Sequence, residues 1–228
     1  MIAAFTSRSK AYAQAIESQK ISLAGIITFG NKTNVSTDQT DFQLNDNSVY
    51  MPDLTIPLIE TIHKNNWVHK HINSQTINNS KVIEEIQLFN PNLIVYSGYG
   101  GQIVDKKILE TGIPFIHIHS GWLPDYRGST TMYYSWIKEK TIGVSAIAMS
   151  PQIDMGNILM KAKYPLPSKN INPDYLYDPA IRADLLICLL KEYYRKGCLP
   201  EGEIQNNSDG IEYYVIHPIL KHLVLLTR

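Results

Sequence analysis

Two histidines and a later aspartate have the residue types and the spacing that proton-transfer chemistry needs. His117 and His119 lie two residues apart in the apolar run Ile113–His119, so in a strand both imidazoles project from the same face. Asp154 lies in a loop that follows another apolar run, Val144–Met149. Imidazole and carboxylate groups that meet at one place can hold and transfer a proton near neutral pH. We therefore predict that these three residues are catalytic.

Polar loops flank the histidine pair. Ser120–Gly128 follows His119 directly, and Gly128–Ser135 is rich in aromatic and hydroxyl side chains that suit stacking and hydrogen bonding to a small ligand. The same aromatic residues are compatible with a core, and Tyr126–Gly128 with a structural turn. The predicted substrate-binding residues are Ser120, Tyr126, Arg127, Gly128 and Thr130.

The sequence pattern predicts that a parallel sheet flanked by helices positions these loops. Ile2–Thr6 predicts a strand, residues up to Gln19 a helix with Ser7 as its N-cap, and Leu23–Phe29 a second strand. Such a βαβ opening predicts parallel pairing, with a right-handed crossover. Further strands are predicted at Val68–Ile72, Leu93–Tyr96, Ile113–His119 and Val144–Met149, and further helices at Ile56–Asn65, from Ser80 to Phe89, and at Asp178–Arg195. Parallel neighbours are expected to bring the Asp154 loop close to the histidines.

The C-terminal part carries a different pattern. Asp209-Gly210 separates two short extended segments, Glu203–Gln205 and Ile211–Ile216, and is a strong β-hairpin signal. We predict a catalytic domain over residues 1–165 and an extension of one helix and a hairpin over residues 166–228. The hairpin and the apolar tail suggest a homodimer.

Composition limits the classes of partner. Among the 228 residues, Lys plus Arg and Asp plus Glu number 21 each, so no net field attracts a nucleic acid. The N-terminal apolar run is too short for a signal peptide or a membrane span, which predicts a cytoplasmic protein with no membrane partner. Cys188 and Cys198 are read as ordinary free thiols. The polar stretch Asn31–Ser48 is predicted to be a long surface loop.

Three segments carry a resemblance to a known family. His117–Gly128 (HIHSGWLPDYRG), Gly143–Met149 (GVSAIAM) and Ile153–Leu159 (IDMGNIL) together resemble the folate-dependent formyltransferases, which include glycinamide ribonucleotide, methionyl-tRNA and nucleotide-sugar formyltransferases. Pro91–Ile103 resembles the strand and turn that line the family's folate pocket. The resemblance implies a Rossmann-like α/β fold and 10-formyltetrahydrofolate as the formyl donor.

The resemblance also implies roles for individual residues. His119 and Asp154 fall on the family's catalytic His and Asp, whereas His117 stands where the family has Asn. In the family that Asn donates to the oxygen of the tetrahedral intermediate, and one such donor lowers the barrier by roughly 3 kcal/mol. An imidazole N–H can also donate, so His117 is expected to take this role. The residues expected to line the folate pocket are Tyr99, Gly100, Gln102, Ile103, Val104, Gln152 and Asp154.

The expected acceptor is a small amine. Methionyl-tRNA formyltransferases carry a further basic domain, for which this chain has neither the length nor the charge. Tyr175–Arg182 and Tyr213–His222 are similar to the tails of formyltransferase-like proteins of pseudaminic acid pathways. The expected acceptor is therefore the amino group of a nucleotide-linked dideoxy sugar.

Two other functions remain open from the sequence. His117, His119 and Asp154 could form a facial triad for a divalent metal, which would make the protein a deformylase or related hydrolase. Alternatively, the fold could bind a sugar nucleotide or folate without catalysis. Our formyltransferase hypothesis itself requires no metal.

Overall fold

The computed structural model describes residues 1–31, 49–206 and 208–227. The strands are β1 (Ile2–Ala4), β2 (Ile26–Phe29), β3 (His69–Ile72), β4 (Ile94–Ser97), β5 (Phe115–His119), β6 (Tyr126–Gly128), β7 (Ile142–Ala148), β8 (Ile158–Tyr164) and β9 (Ile211–Tyr213). The helices are α1 (Ser7–Ser18), α2 (Leu58–Lys64), α3 (Ser80–Phe89), α4 (Lys106–Leu109), α5 (Thr131–Glu139), α6 (Asp178–Lys196) and α7 (Pro218–Leu225), and Pro173–Tyr177 is π-helical. Except for Asn31, the predicted surface loop Asn31–Ser48 lies outside the described residues.

One mixed sheet organises the fold. Seven strands lie in the order β3-β2-β1-β4-β5-β7-β8. The first five run parallel, which confirms the α/β architecture and the βαβ opening. Strand order reverses between β1 and β4, and the crevice at such a switch point is where α/β sheets bind ligands.

The last two strands correct the prediction of parallel neighbours. β7 pairs antiparallel with β5, and β8 antiparallel with β7. The loop after β7 therefore begins beside the start of β5, where the Met149 N–H donates to the Phe115 carbonyl at 2.8 Å. It then runs back along β5 as far as His119. Asp154 thus reaches the histidine by a returning loop and not through parallel pairing.

The predicted C-terminal hairpin is wrong. β9 pairs in parallel with β6, and Glu203 forms a separate bridge with Ile158. The Tyr213 ring stacks on the Tyr126 ring, with centroids 5.4 Å apart. A local Asp-Gly turn signal cannot report such a partner, because β6 lies far away in the sequence.

The helices complete the core and show what the sequence pattern missed. α6 packs against α1, and residues of both helices share one hydrophobic cluster with β5 and β7. α1 is capped by Thr6 and not by Ser7, since the Thr6 hydroxyl accepts from the Ser9 N–H at 3.1 Å.

Two elements of the structure were not predicted from the sequence. Strand β8 was missed because lysines interrupt its apolar run, and helix α5 was missed because Thr, Ser and Tyr are weak helix formers. In the described part of the chain, none of the helices has the length and apolar character needed to cross a membrane.

Candidate active site

A cavity of about 650 Å³ opens beside β4 and β5. Its size is typical of sites for small molecules. The returning loop after β7 forms another side of the cavity, and the C-terminal segment around β9 covers part of its rim. His117, His119 and Asp154 all line this one space, so the structure brings the three predicted catalytic residues together.

His119 is held by both of its ring nitrogens. The side chain is buried, Nε2 lies 2.8 Å from the Tyr126 carbonyl, and Nδ1 lies 3.3 Å from Asp154 Oδ1. A carbonyl only accepts, so Nε2 must carry a hydrogen. Nδ1 then presents its lone pair in the neutral ring and donates to Asp154 in the imidazolium. The pair is therefore built to take up one proton.

Asp154 is positioned by hydrogen bonds to its side chain and to its main chain. Its Oδ2 accepts from the Gly128 N–H at 2.9 Å, and its main-chain carbonyl accepts from Gln205 Nε2 at 2.8 Å. Its φ of 52° lies in the left-handed region, which Asp tolerates better than most residues. Gln205 was not predicted from the sequence, and no local pattern marks it.

His117 differs from its neighbour. Its Nδ1 is buried without a well-formed hydrogen bond to any described residue, and the Tyr96 main chain is a weaker partner of the ring that raises its pKa slightly. Burial, followed by the charges of Arg8 and Arg182, lowers the pKa of His117 well below its usual 6.5. The ring is therefore neutral at pH 7, and a neutral imidazole donates one hydrogen bond. This is the property that an oxyanion donor requires.

The predicted folate-pocket residues also lie on the cavity wall. They are Tyr99, Gly100, Gln102, Ile103, Val104, Gln152 and Asp154. Gln102 donates through Nε2 to the Gln75 carbonyl at 2.8 Å, while its Oε1 is buried and has no partner among the residues that the structure describes. This acceptor among aromatic and aliphatic side chains fits an amino-bearing heterocycle such as the pteridine ring.

The five predicted substrate-binding residues divide into two groups. Ser120, Gly128 and Thr130 line the cavity. Tyr126 and Arg127 instead contact the C-terminal segment: the Tyr126 ring stacks on Tyr213, and Arg127 Nη2 donates to the Asn206 carbonyl at 3.1 Å. Tyr126 reaches the site through its carbonyl, which anchors His119.

Five further charged residues line the cavity and were not predicted from the sequence: Arg8, Asp174, Asp178, Arg182 and Glu212. Arg182 and Asp178 form an ion pair of 2.9 Å on α6, and Arg182 also donates to the Ile118 carbonyl between the two histidines. Arg8 enters from the first turn of α1. Asp178 and Arg182 lie four residues apart within the apolar pattern of α6. Charged side chains are rare on a buried helix face unless they are paired, so this spacing could have identified them as candidate site residues.

The metal alternative finds no support in the described residues, which hold no group of three or more His, Cys, Asp or Glu side chains arranged to bind a metal ion. In the triad, both ring nitrogens of His119 already face oxygen atoms.

Comparisons with known proteins match the chain to one family. A family model described as formyl transferase matches residues 2–176. The methionyl-tRNA formyltransferase of Alkaliphilus metalliredigens is 37% identical over 137 residues, which cover 58% of this chain and 42% of that protein. That of Methylacidiphilum infernorum is 37% identical over 99 residues, 42% of this chain and 30% of that protein. The chain thus spans less than half the length of these curated relatives.

Solved structures show the same fold. A sugar N-formyltransferase from Shewanella sp FDAARGOS_354 superposes with a TM-score of 0.58 at 17% identity, over 99% of this chain and 85% of that chain. A phosphoribosylglycinamide formyltransferase from Anaplasma phagocytophilum gives a TM-score of 0.58 at 12% identity, over 93% and 97%. The predicted Rossmann-like α/β class is confirmed.

Proposed function

The chain belongs to the formyl transferase family, and on that premise we propose that it transfers a formyl group from 10-formyltetrahydrofolate to the amine of a small acceptor. One observation carries the proposal: a buried His119–Asp154 pair and a neutral His117 line the same cavity. The folate would supply an activated formyl carbon: the acceptor nitrogen adds to that carbon, the carbon's bond to the folate nitrogen then breaks, and the proton lost by the amine ends on the folate nitrogen.

In the proposed reaction, the His119–Asp154 pair and His117 have separate tasks. The attacking amine loses a proton, and the His119–Asp154 pair takes it up because Nδ1 faces the carboxylate while Nε2 stays anchored to Tyr126. His117 donates its ring N–H to the formyl oxygen, where negative charge develops during the attack. Gly128 holds Asp154 in place through its N–H.

A nucleotide-linked amino-dideoxy sugar, of the type used in pseudaminic acid and other bacterial surface glycans, is the acceptor we propose first. Hydroxyl and aromatic side chains of Thr130, Tyr133 and Tyr214 border the cavity and suit a sugar or a base. Methionyl-tRNA is the second candidate, because relatives with that activity are 37% identical to parts of this chain. We also propose that the reaction takes place in the cytoplasm.

The test is an assay of 10-formyltetrahydrofolate consumption against amino nucleotide sugars, glycinamide ribonucleotide and methionyl-tRNA. Turnover that requires an acceptor amine and collapses in His119→Ala and Asp154→Asn would establish formyl transfer at this site. Acceptor-independent release of formate that follows metal content would make the protein a hydrolase instead. Folate binding without turnover of any amine would leave a binding protein.

A further inference from the structure

The C-terminal part of the chain contacts the loop that carries Asp154. Residues 202–206, which we call the bridging segment, lie between α6 and β9. Glu203 pairs with Ile158 at the start of β8 through two main-chain hydrogen bonds, each of 2.9 Å. This pairing places the bridging segment alongside the loop between β7 and β8.

The side chain of Gln205 binds this loop with both hydrogens of its amide group. Nε2 donates to the Asp154 carbonyl at 2.8 Å and to the Gly156 carbonyl at 2.7 Å. Both partners are carbonyl oxygens, which only accept, so the NH2 end of the amide must face the loop. Gln205 is not among the described residues that line the cavity, so it acts on the loop and not on a ligand.

The amide of Gln205 is not explained by stability alone. The side chain is 8% exposed, and its Oε1 is buried with no partner among the residues that the structure describes. A buried acceptor without a partner offsets much of the stability that two hydrogen bonds contribute. The main consequence of the contact is therefore the position that it imposes on the loop.

The loop needs such a restraint at Asp154. The φ of this residue, 52°, lies in the left-handed region, which is unfavourable for a residue with a Cβ. Two residues later, Gly156 approaches β7 so closely that a Cβ there would overlap the Ala148 carbonyl oxygen. Gln205 holds the main chain at both positions. A tertiary contact, and not a local preference, thus directs the Asp154 carboxylate.

The bridging segment also contacts the loop that holds the other side of the pair. Arg127, between Tyr126 and Gly128 in β6, donates to the carbonyl of the last residue of the bridging segment at 3.1 Å. The Tyr126 carbonyl anchors His119, and the Gly128 N–H binds the Asp154 carboxylate. The segment therefore connects the two loops whose contacts fix the pair.

We propose that Gln205 is a positioning residue that holds Asp154 where its carboxylate shares a proton with His119. The kinetic consequence rests on the proposed formyl transfer, whereas the contact itself does not. The Nδ1–Oδ1 distance of 3.3 Å is already longer than most hydrogen bonds, so the pair does not survive a further retreat of the loop. Gln205 lies beyond residue 176, where the match to the family model ends.

Gln205→Met and Gln14→Met form a matched pair of variants of the full chain. Met has nearly the size of Gln but no amide, so each variant keeps the packing and loses hydrogen bonds to the main chain. Gln14 is 5% exposed, binds the main chain of Asp53 at 2.6 and 2.8 Å, and does not line the cavity.

The first measurement is steady-state kinetics of formyl transfer. We expect kcat to fall about ten- to a hundredfold in Gln205→Met with the acceptor KM unchanged, because a misplaced group slows the reaction without weakening ground-state binding. Gln14→Met is expected to keep the kcat of the wild type. An equal loss of kcat in both variants would assign the effect to general destabilisation and overturn the inference.

A double-mutant cycle with Asp154→Asn shows whether Gln205 acts through Asp154. Once the carboxylate is absent, Gln205→Met is expected to change kcat by less than about twofold, since residues that act as a unit are not additive. The same fold loss in the presence and in the absence of the carboxylate would refute a role through Asp154.

Hydrogen exchange at the Gly128 amide is a readout that needs no reaction. This N–H donates to Asp154 Oδ2 at 2.9 Å, so it exchanges faster when the carboxylate moves away. Relative to the amides of β5, we expect exchange at Gly128 to be about tenfold faster in Gln205→Met and unchanged in Gln14→Met. Unchanged exchange in Gln205→Met would overturn the inference even where formyl transfer is observed. If no amine is formylated while exchange at Gly128 still depends on Gln205, the proposed reaction fails and the positioning of Asp154 stands.

Discussion

The hydrogen bonds of His119 fix which of its ring nitrogens carries the hydrogen. The Tyr126 carbonyl takes the Nε2 hydrogen, so Nδ1 is the nitrogen left to share a proton with Asp154. A histidine with two free nitrogens would sample both tautomers. The Tyr126 carbonyl therefore favours the tautomer whose Nδ1 can accept the proton.

Asp154→Asn tests this pair. The amide oxygen still accepts from the Gly128 N–H, so the fold is expected to persist, but the ring no longer faces a charge. We expect kcat for formyl transfer to fall by about 10²- to 10⁴-fold, the usual worth of a positioned acid or base. Steady-state kinetics and a Tm measurement check both parts. Asp125→Asn, an exposed change nearby, is the control, and an equal loss of kcat in both variants would contradict the assignment.

His117 makes stability depend on pH. Its folded pKa is depressed, so below about pH 6.5 the unfolded chain binds a proton that the folded chain does not. The stabilisation is complete above that pH and declines as the pH falls, by at most about 1.4 kcal/mol per pH unit. His117→Asn is expected to flatten this slope. Urea denaturation between pH 5 and 8 measures it, and parallel curves for the two proteins would show that His117 is not the cause.

At the scale of elements, the short pairing of β6 with β9 ties the C-terminal segment to the site. The Tyr213 carbonyl accepts from the Ser129 N–H at 2.7 Å, and the Ile216 N–H donates to the Thr130 hydroxyl at 2.8 Å. Glu212 and Tyr214 consequently line the cavity. The family model ends at residue 176, so this wall lies outside the matched region.

Gly128→Ala should loosen this wall. A Cβ there would lie 2.2 Å from the Tyr213 carbonyl oxygen, and φ is 92°. Gly197→Ala is the matched control, because its φ of 73° is similarly strained but a Cβ meets nothing within 4 Å. Both variants are expected to lose about 1 kcal/mol from backbone strain. Only Gly128→Ala should speed hydrogen exchange at Ile211–Tyr213, and equal exchange in both variants would rule out the proposed contact.

At the scale of the whole molecule, α7 leaves an apolar face uncovered. Ile219, Leu223 and Leu226 are between 54% and 67% exposed, and the neighbouring Tyr214 and Val215 are more exposed still. Apolar patches of this kind mark interaction sites. This face is consistent with the homodimer that we predict, although the hairpin that first suggested it is absent.

The dimer has a direct test. Light scattering is expected to give twice the 25.9 kDa chain mass for wild type and the monomer mass for Leu223→Lys. Leu88→Lys on α3 is the control, since Leu88 is 76% exposed and distant in sequence from α7. A monomeric wild type, or equal dissociation in both variants, would remove α7 as the interface.

The division of the chain into residues 1–165 and 166–228 stays a prediction. α6, from the second part, packs on α1 and completes the same hydrophobic cluster. Its Arg182 also reaches the carbonyl between the two histidines. Any cut near residue 165 would therefore expose a core that both parts share.

The sequence by itself predicted three residues that the structure brings into one cavity, and most of the sheet. The two-residue spacing of His117 and His119, the apolar runs and the βαβ opening are local patterns, and local patterns follow from the geometry of a single strand or helix. They were sufficient for the α/β class and for α6, whereas the family was indicated by the resemblance of three motif segments.

Only the tertiary structure decided how distant segments pair. Three features join residues that are far apart in the chain. Strand β7 pairs antiparallel with β5, β9 pairs with β6, and Arg8 lines the same cavity as His117. These contacts form only after the chain has collapsed, and they depend on which strand edges and which buried charged side chains are then unpaired and close in space. Strand periodicity is the same for parallel and antiparallel partners, so no local pattern could distinguish them.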